Sequence, residues 1–281
     1  MRNFPTGSSG VNYSSVMRYA RIATPEAMTF AVVEGDGEDI KFKAISNHPF
    51  EAPEYTGKEY GPDEVRLLAP MLPSKILLIG RNYADHVQEV FNQSASTLPP
   101  TLFMKPPTSI IGPGAAIKIP DFAQKVEFEG EIALVISKPC KNVKKENWRD
   151  VVLGLTIVND VSDRNLQFAE GQWTRGKGID TFCPMGPWID TDIDAYDLAD
   201  TKIKGHLTHE GETKTWQDSS TNQMIWDFGE IIEYITGSIT LLPGDVISTG
   251  SPAGTKRMVP GDTIAIEVEG LGTLRNTVTE A

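Results

Sequence analysis

The chain has 281 residues, of which 40% are hydrophobic and 23% charged, a balance typical of soluble globular proteins. Its formal net charge of −12, without any Lys/Arg cluster, argues against nucleic acid as a partner. It has no run of about 18 apolar residues that could span a membrane, and no apolar signal-peptide core near the N-terminus. The two cysteines, Cys140 and Cys183, lack metal-ligand spacing. We therefore expect a cytoplasmic protein with reduced thiols.

The N-terminal part of the chain is predicted to contain two units. Residues 1–16 are rich in Gly, Ser and Asn without periodicity, which indicates a flexible leader. Residues 17–73 have the strand-and-turn pattern of a small β-rich lobe, and Pro62–Leu68 is predicted as a short helix because Pro62 suits a first helical position. Residues 74–281 are then expected to form the main domain.

In the main domain, short apolar runs separated by Gly and Pro predict mostly strands. Ile76–Gly80 has the apolar pattern of a buried strand. Helices are predicted over about Lys144–Val152, with Asn142 as its cap, and over about Gln223–Ile235, which is apolar on one face. The fold class is therefore predicted as mixed β-rich α+β with peripheral helices.

Three carboxylates are the strongest chemical signal. Glu129 and Glu131 flank one glycine, and residues two apart on a strand point to the same face. Asp160 closes a second apolar run, so a neighbouring strand can bring it to the same point. Three such carboxylates suit Mg²⁺, Mn²⁺ or Ca²⁺. The alternative is a solvated outer face; the apolar run after Glu131 favours the metal site, and we interpret Glu127 as the solvated end of the strand.

A second cluster follows the predicted strand that ends at Gly80. If the segment is helical, His86 and Glu89 share a face, and a carboxylate beside a histidine supports it as a general base. The alternative is an incidental surface pair. A third candidate is Lys177, which lies between two glycines in a predicted loop, where it could meet a substrate carboxylate or simply be solvated.

With these residues in view, the chain resembles the fumarylacetoacetate hydrolase family. The matching motifs occur in family order across about residues 76–276, nearly the whole main domain. They are Gly80–His86, Glu129–Ala133, Asn159–Arg164, Gly171–Lys177, Phe182–Trp188 and Leu242–Pro252. The chain is most similar to the family's shorter members: acylpyruvate and fumarylpyruvate hydrolases, oxaloacetate decarboxylases and hydroxyheptadienedioate isomerases.

The resemblance implies a fold and a set of site residues. The fold would be a β-sandwich roll, usually a homodimer, with Mg²⁺ or Mn²⁺ as cofactor. The implied metal ligands are Glu129, Glu131 and Asp160. The resemblance also implies that His86 and Glu89 activate water on a short helix that orders over substrate, and that Lys177 orients the substrate. Arg81, Gln167 and Ser251 would lie at the substrate mouth. Ser251 replaces the usual threonine and keeps its hydroxyl. Thr255-Lys256 stands where the family usually has Val-Gly.

The predicted function is divalent-metal-dependent cleavage of a carbon–carbon bond in a small 2-oxo acid. Oxaloacetate would lose carbon dioxide, or an acylpyruvate such as fumarylpyruvate would be hydrolysed to pyruvate, through an enolate that the cation stabilises. The first alternative is an isomerase or decarboxylase of 2-hydroxyhepta-2,4-diene-1,7-dioate in aromatic catabolism. The second is a non-catalytic small-molecule binding protein, against which the presence of His86, Glu89 and Lys177 argues.

Overall fold

The computed structural model describes residues 16–91 and 100–281. Almost all of the predicted leader, 1–16, lies outside the described residues, and so do residues 92–99 after the first helix. The strands are Arg18–Ala23 (β1), Met28–Glu34 (β2), Lys41–Ile45 (β3), Tyr55–Tyr60 (β4), Arg66–Leu68 (β5), Ile76–Gly80 (β6), Thr101–Lys105 (β7), Ile110–Ile111 (β8), Ile117–Ile119 (β9), Val126–Glu127 (β10), Gly130–Ile136 (β11), Val152–Asn159 (β12), Ser162–Asp163 (β13), Cys183–Asp190 (β14), Lys202–His209 (β15), Glu212–Ser220 (β16), Val246–Ser248 (β17), Thr263–Val268 (β18) and Gly272–Glu280 (β19).

Helices are few in this part of the chain. The α-helices are Ala84–Phe91 (α1), Arg164–Ala169 (α2), Thr174–Lys177 (α3) and Phe228–Ser238 (α4). Short 3₁₀ segments cover Gly37–Asp39, Pro62–Glu64, Pro107–Ser109, Lys145–Val151, Ile193–Ala195 and Thr221–Gln223. The predicted β-rich α+β class is confirmed, and no described helix is both long and apolar enough to cross a membrane.

The largest sheet has strands β12 and β11 near its centre. Its strand order is β4-β3-β2-β1-β14-β12-β11-β17-β6-β7, with β5 paired to β1 and β8 to β14. Every residue of β11 and β12 is buried, as their continuous apolar runs predict. These two strands are antiparallel, with Gly130 opposite Asn159 and Glu131 opposite Val158. The ends that carry the acidic residues therefore lie side by side.

A second sheet, β16-β15-β18-β19-β9, covers one face of this centre. Side chains of both sheets share one apolar core: Ile132 and Ile157 come from the large sheet, and Ile203, Ile264 and Ile266 from the smaller one. Helix α4 adds Phe228, Ile231, Ile232 and Ile235 to the same core. The finer description as a β-sandwich roll stays a prediction, as does the division of the chain into a 17–73 lobe and a 74–281 domain.

One predicted helix is wrong, and another differs in type and cap. Pro62–Leu68 is only a 3₁₀ turn, Pro62–Glu64, because Arg66–Leu68 pairs with β1 as strand β5. The segment predicted over Lys144–Val152 is a 3₁₀ helix ending at Val151, because Val152 already belongs to β12. Asn142 does not cap it: Lys144 occupies the N-cap position.

The helix predicted over Gln223–Ile235 exists but begins later. The carboxylate of Asp227 accepts a hydrogen bond from the Glu230 amide (2.8 Å), and Glu230 bonds back to the Asp227 amide (3.1 Å). This reciprocal capping box is a strong helix start, so α4 begins at Phe228. Both cysteines are buried free thiols, and burial raises the pKa of Cys183 to about 12.

The capping box generates a stability prediction. Asp227→Ala should lower the free energy of unfolding by about 1 kcal/mol, because the Glu230 amide loses its acceptor. Asp227→Asn should change it much less, because asparagine caps about as well as aspartate. Urea unfolding of the two variants and the unchanged protein measures this. Equal stability of the alanine variant and the unchanged protein would contradict the role of the cap.

Candidate metal centre and active site

The structure brings the three predicted carboxylates together. Glu129 directly precedes β11, Glu131 is its second residue, and Asp160 directly follows β12. The Asp160 amide donates to the Glu129 carbonyl (2.8 Å), which aligns the two strand ends. One carboxylate oxygen of each residue lies within 4.8 Å of the others, and all three side chains are buried. A compact, oxygen-only cluster therefore forms at the centre of the sheet.

Glu131 is held by groups from the strand β17 region. One of its oxygens accepts hydrogen bonds from the Ser248 hydroxyl (2.5 Å) and the Gly250 amide (3.0 Å). Burial is the main cause that raises the pKa of Glu131 well above its ordinary value, and the negative charges of Asp160 and Glu129 add to it. Three carboxylates at this spacing repel one another, and a positive charge among them would relieve that repulsion.

Two buried lysines face the same cluster. The ammonium of Lys177 lies 2.8 Å from a Glu129 oxygen and 2.6 Å from an Asp160 oxygen. Burial alone would lower the pKa of Lys177, but the two carboxylates outweigh it and raise that pKa. Lys105 forms an ion pair with the other oxygen of Asp160 and donates to the carbonyls of Val161 and Phe182. Lys177 ends helix α3 instead of lying in a loop, and the structure aims it at the carboxylates.

Arg164 is the third buried cation. It lies at the start of α2, and its guanidinium contacts Glu129 (2.5 Å) and Glu127 (2.8 Å). The interpretation of Glu127 as a solvated strand end is wrong: the residue is only 7% exposed. Strand β10 pairs with β13 and so brings Glu127 against Arg164. Burial opposes ionisation of Glu127, but the charge of Arg164 outweighs it and lowers the pKa of that carboxyl.

The donor set fits a divalent cation that prefers oxygen ligands. Three buried carboxylates without a sulfur or imidazole among them favour Mg²⁺ or Mn²⁺ over zinc. Burial is the main cause of the raised pKa of Glu131, and the neighbouring carboxylates add a repulsion that such a cation would relieve. Glu129, Glu131 and Asp160 are therefore the residues that would hold it.

The predicted His/Glu pair lies on helix α1, beside the carboxylates. His86 is buried, so it is not part of an incidental surface pair. Its Nδ1 lies 3.8 Å from Glu89 Oε2, and its Nε2 lies 3.9 Å from Glu129 Oε1. Glu89 also accepts a hydrogen bond from the Gly254 amide (2.9 Å). The neighbouring His86 is the main cause that lowers the pKa of Glu89, although at 3.8 Å the two side chains do not form a hydrogen bond.

The predicted substrate residues line one pocket with the carboxylates. Gln167 accepts a hydrogen bond from Arg164 (2.9 Å), and Ser251 accepts one from Gln217 (2.8 Å). Arg81 follows β6 with a φ of 63°, and its guanidinium lies 5.9 Å from the Trp173 ring centroid. The pocket is lined by Ile79, Gly80, Arg81, His86, Glu129, Glu131, Asp160, Arg164, Gln167, Trp173, Lys177 and Ser251.

Three neighbours of the carboxylates were missed at the sequence level. Arg164 ends the motif Asn159–Arg164. Buried acidic groups require cationic partners, and this requirement could have identified it. Lys105 follows three apolar residues at the end of strand β7, and a lysine buried at such a position needs a partner. Ser248 had no distinguishing signal, because a serine at a strand end is common.

Comparison with known proteins identifies the family of the chain. Residues 75–279 match the family described as fumarylacetoacetate (FAA) hydrolase C-terminal, and residues 17–70 match one described as Rv2993c-like, N-terminal. The chain belongs to the fumarylacetoacetate hydrolase family. Its members include hydrolases, isomerases and tautomerases.

Among curated relatives, Protein Rv2993c of Mycobacterium tuberculosis is 47% identical over 93% of this chain and 98% of its own length. The mitochondrial oxaloacetate tautomerase fahd2 of Xenopus laevis is 38% identical over 76% of this chain and 68% of its own length.

Three solved structures each align with 94% of this chain. The share of each structure's own chain that is aligned is given in parentheses. Cg1458 with an inhibitor is 62% identical with a TM-score of 0.92 (100% of that chain). The 2-hydroxyhepta-2,4-diene-1,7-dioate isomerase of Mycobacterium marinum is 44% identical with a TM-score of 0.85 (98%). The maleylpyruvate hydrolase of Sphingobium sp. SYK-6, in complex with manganese(II) and pyruvate, is 26% identical with a TM-score of 0.74 (100%).

The site generates a prediction about metal binding. Glu131→Gln should weaken Mn²⁺ binding by more than about 100-fold. Loss of a group that only supports a metal ligand typically costs about 10–100-fold, and this variant removes a proposed ligand. Glu89→Gln should bind Mn²⁺ like the unchanged protein, because Glu89 lies on the histidine side of the site. Electron paramagnetic resonance of free Mn²⁺ during titration gives both affinities. Tight binding by the Glu131 variant would exclude this residue as a ligand.

Proposed function

We propose that the protein is a divalent-metal-dependent enzyme that cleaves a carbon–carbon bond of a small 2-oxo acid, either by decarboxylating oxaloacetate or by hydrolysing an acylpyruvate. The observation that carries the proposal is the meeting of three carboxylates, His86 and Lys177 around one pocket. A binding protein would need the cation site but not a base beside it. The expected cofactor is Mg²⁺ or Mn²⁺, held by Glu129, Glu131 and Asp160.

The bound cation would supply Lewis acidity toward the keto oxygen and carboxylate of the 2-oxo acid. The chain supplies positive charge around the same point, where the buried ammonium of Lys177 stabilises negative charge as the carbon–carbon bond breaks. Arg81, Gln167 and Ser251 are proposed to bind the substrate at the pocket mouth. After cleavage the electron pair stays on the pyruvate fragment as an enolate, which is then protonated.

His86 and Glu89 distinguish hydrolysis from decarboxylation. Hydrolysis of an acylpyruvate requires a water to attack the distal carbonyl, and His86 would accept the proton of that water. Glu89, which accepts a hydrogen bond from the Gly254 amide, would orient the ring by approaching its Nδ1 from the present 3.8 Å. Decarboxylation releases carbon dioxide without a nucleophile, so it does not need this base for attack.

A second candidate is isomerisation or tautomerisation of a 2-oxo acid, in which a proton moves and no carbon–carbon bond breaks. The observation in its favour is the naming of two relatives: a 44%-identical structure is described as a hydroxyheptadienedioate isomerase, and a 38%-identical protein as an oxaloacetate tautomerase. The maleylpyruvate hydrolase with manganese(II) and pyruvate supports the hydrolytic reaction. A homodimer and a cytoplasmic location remain predictions.

A product assay separates the two candidates. With Mn²⁺ added, we expect pyruvate to accumulate from oxaloacetate, fumarylpyruvate or acetylpyruvate, with carbon dioxide released only from the first. Chelator should abolish the reaction, and restored Mn²⁺ should recover it. Interconversion of the keto and enol forms of oxaloacetate, followed by ultraviolet absorbance without pyruvate release, would replace the cleavage proposal by the tautomerase one.

The role of His86 has its own prediction. His86→Ala should reduce acylpyruvate hydrolysis by about 10²–10⁴-fold, the usual contribution of general-base catalysis, and reduce oxaloacetate decarboxylation far less. Steady-state kinetics on both substrates with saturating Mn²⁺ measure the difference. Equal losses on the two substrates would show that His86 positions substrate and does not activate water.

A further inference from the structure

Arg164 is held by a closed set of hydrogen bonds with Glu127 and Thr255. Its Nε donates to Glu127 Oε2 (2.8 Å), and its Nη2 donates to the Thr255 hydroxyl (3.3 Å). The same hydroxyl donates to Glu127 Oε2 (3.0 Å). The three side chains thus form a ring in which each contacts the other two. The ring leaves Nη1 to face Glu129 and Gln167.

The position of this guanidinium matters because Glu129 is a proposed metal ligand. Arg164 already contacts Glu129 Oε1, and Lys177 contacts Oε2. A guanidinium that moved wholly onto Glu129 could bind both carboxylate oxygens in the bidentate arrangement that arginine prefers. It would then compete with a cation for the same oxygens.

Two features of this chain restrain that movement. The buried carboxylate of Glu127 offers Arg164 a second negative partner, so its charge is shared between two glutamates. Thr255 stands where the resembled family usually has valine, which can neither donate nor accept a hydrogen bond. The threonine hydroxyl does both here, since it accepts from Arg164 and donates to Glu127.

We propose that Glu127 and Thr255 are positioning residues, which hold the Arg164 guanidinium between Glu127 and Glu129 and so keep the Glu129 carboxylate available to the divalent cation. This inference rests on the proposed metal site. Neither residue touches the substrate or the cation in it; both act through Arg164.

The test is Mn²⁺ affinity, measured by electron paramagnetic resonance of the free ion on the full-length protein. Glu127→Gln, which keeps the shape but removes the charge, should weaken Mn²⁺ binding by about 10–100-fold, the usual effect of losing a group that supports a metal ligand. Thr255→Val should weaken it toward the lower end of that range, because one hydroxyl is lost and no charge. The double variant should bind almost as well as Glu127→Gln alone, because both changes act through one guanidinium.

Two matched variants serve as controls. Thr255→Ser keeps the hydroxyl and should restore the affinity of the unchanged protein. Lys125→Gln removes the half-exposed partner of the other Glu127 oxygen (3.2 Å) and should have little effect, because exposed ion pairs contribute little. Thermal unfolding of each variant without metal checks folding, and Thr255→Val carries the test if Glu127→Gln does not fold.

The outcomes separate this inference from the proposed function. If the unchanged protein binds no Mn²⁺, the metal site itself is wrong and the inference falls with it. If the unchanged protein binds Mn²⁺ and Thr255→Val and Glu127→Gln bind it equally well, only the positioning role is wrong. An equal loss in Thr255→Ser and Thr255→Val would also overturn the role of the hydroxyl.

Discussion

The structure of the site depends on electrostatic repulsion among buried carboxylates at the end of the β11–β12 pair. Glu129, Glu131 and Asp160 are nearly inaccessible to water, so their charges are not screened by solvent. The chain surrounds them with Lys105, Lys177 and Arg164, which are also buried. Removing one partner of a buried ion pair typically costs about 3–5 kcal/mol, so loss of any of these cations should destabilise the fold.

The sheet explains how such charges come to lie in the interior. Strands β11 and β12 are mostly apolar and buried along their whole length, which fixes their position in the core. Antiparallel pairing places the first residues of one beside the last residues of the other. The carboxylates therefore lie at the rim of a rigid sheet, where their positions follow from strand register and not from a loop.

The sequence was informative where a pattern has a direct geometric meaning. A Glu-Gly-Glu on a strand and an aspartate after the next apolar run imply convergence, and the structure shows it. The interpretation of Glu127 failed because alternation along a strand gives the face of a side chain but not its burial. Glu127 is buried against Arg164, which lies 37 positions later in the chain. The short pairing of β10 with β13 brings the two side chains together.

The same limit explains the other differences. Lys105 was not identified because its partner, Asp160, is brought to it by sheet topology, which local patterns do not specify. The helix predicted from Pro62 failed because pairing of β5 with β1 outweighed a favourable first-turn residue. Helix α4 was predicted correctly in kind but not in its start, because a capping box at Asp227 decides where the helix begins.

One arrangement of residues is compatible with several reactions of 2-oxo acids, and the base decides among them. Hydrolysis, decarboxylation and tautomerisation share the need to stabilise negative charge beside a keto group, which the cation site and Lys177 would meet in every case. They differ in what must happen to a proton. His86 lies between Glu89, which can orient it, and Glu129, which faces the cation site. Under the proposed function, reaction type would therefore depend on whether a water or a substrate C–H bond occupies the space that His86 faces.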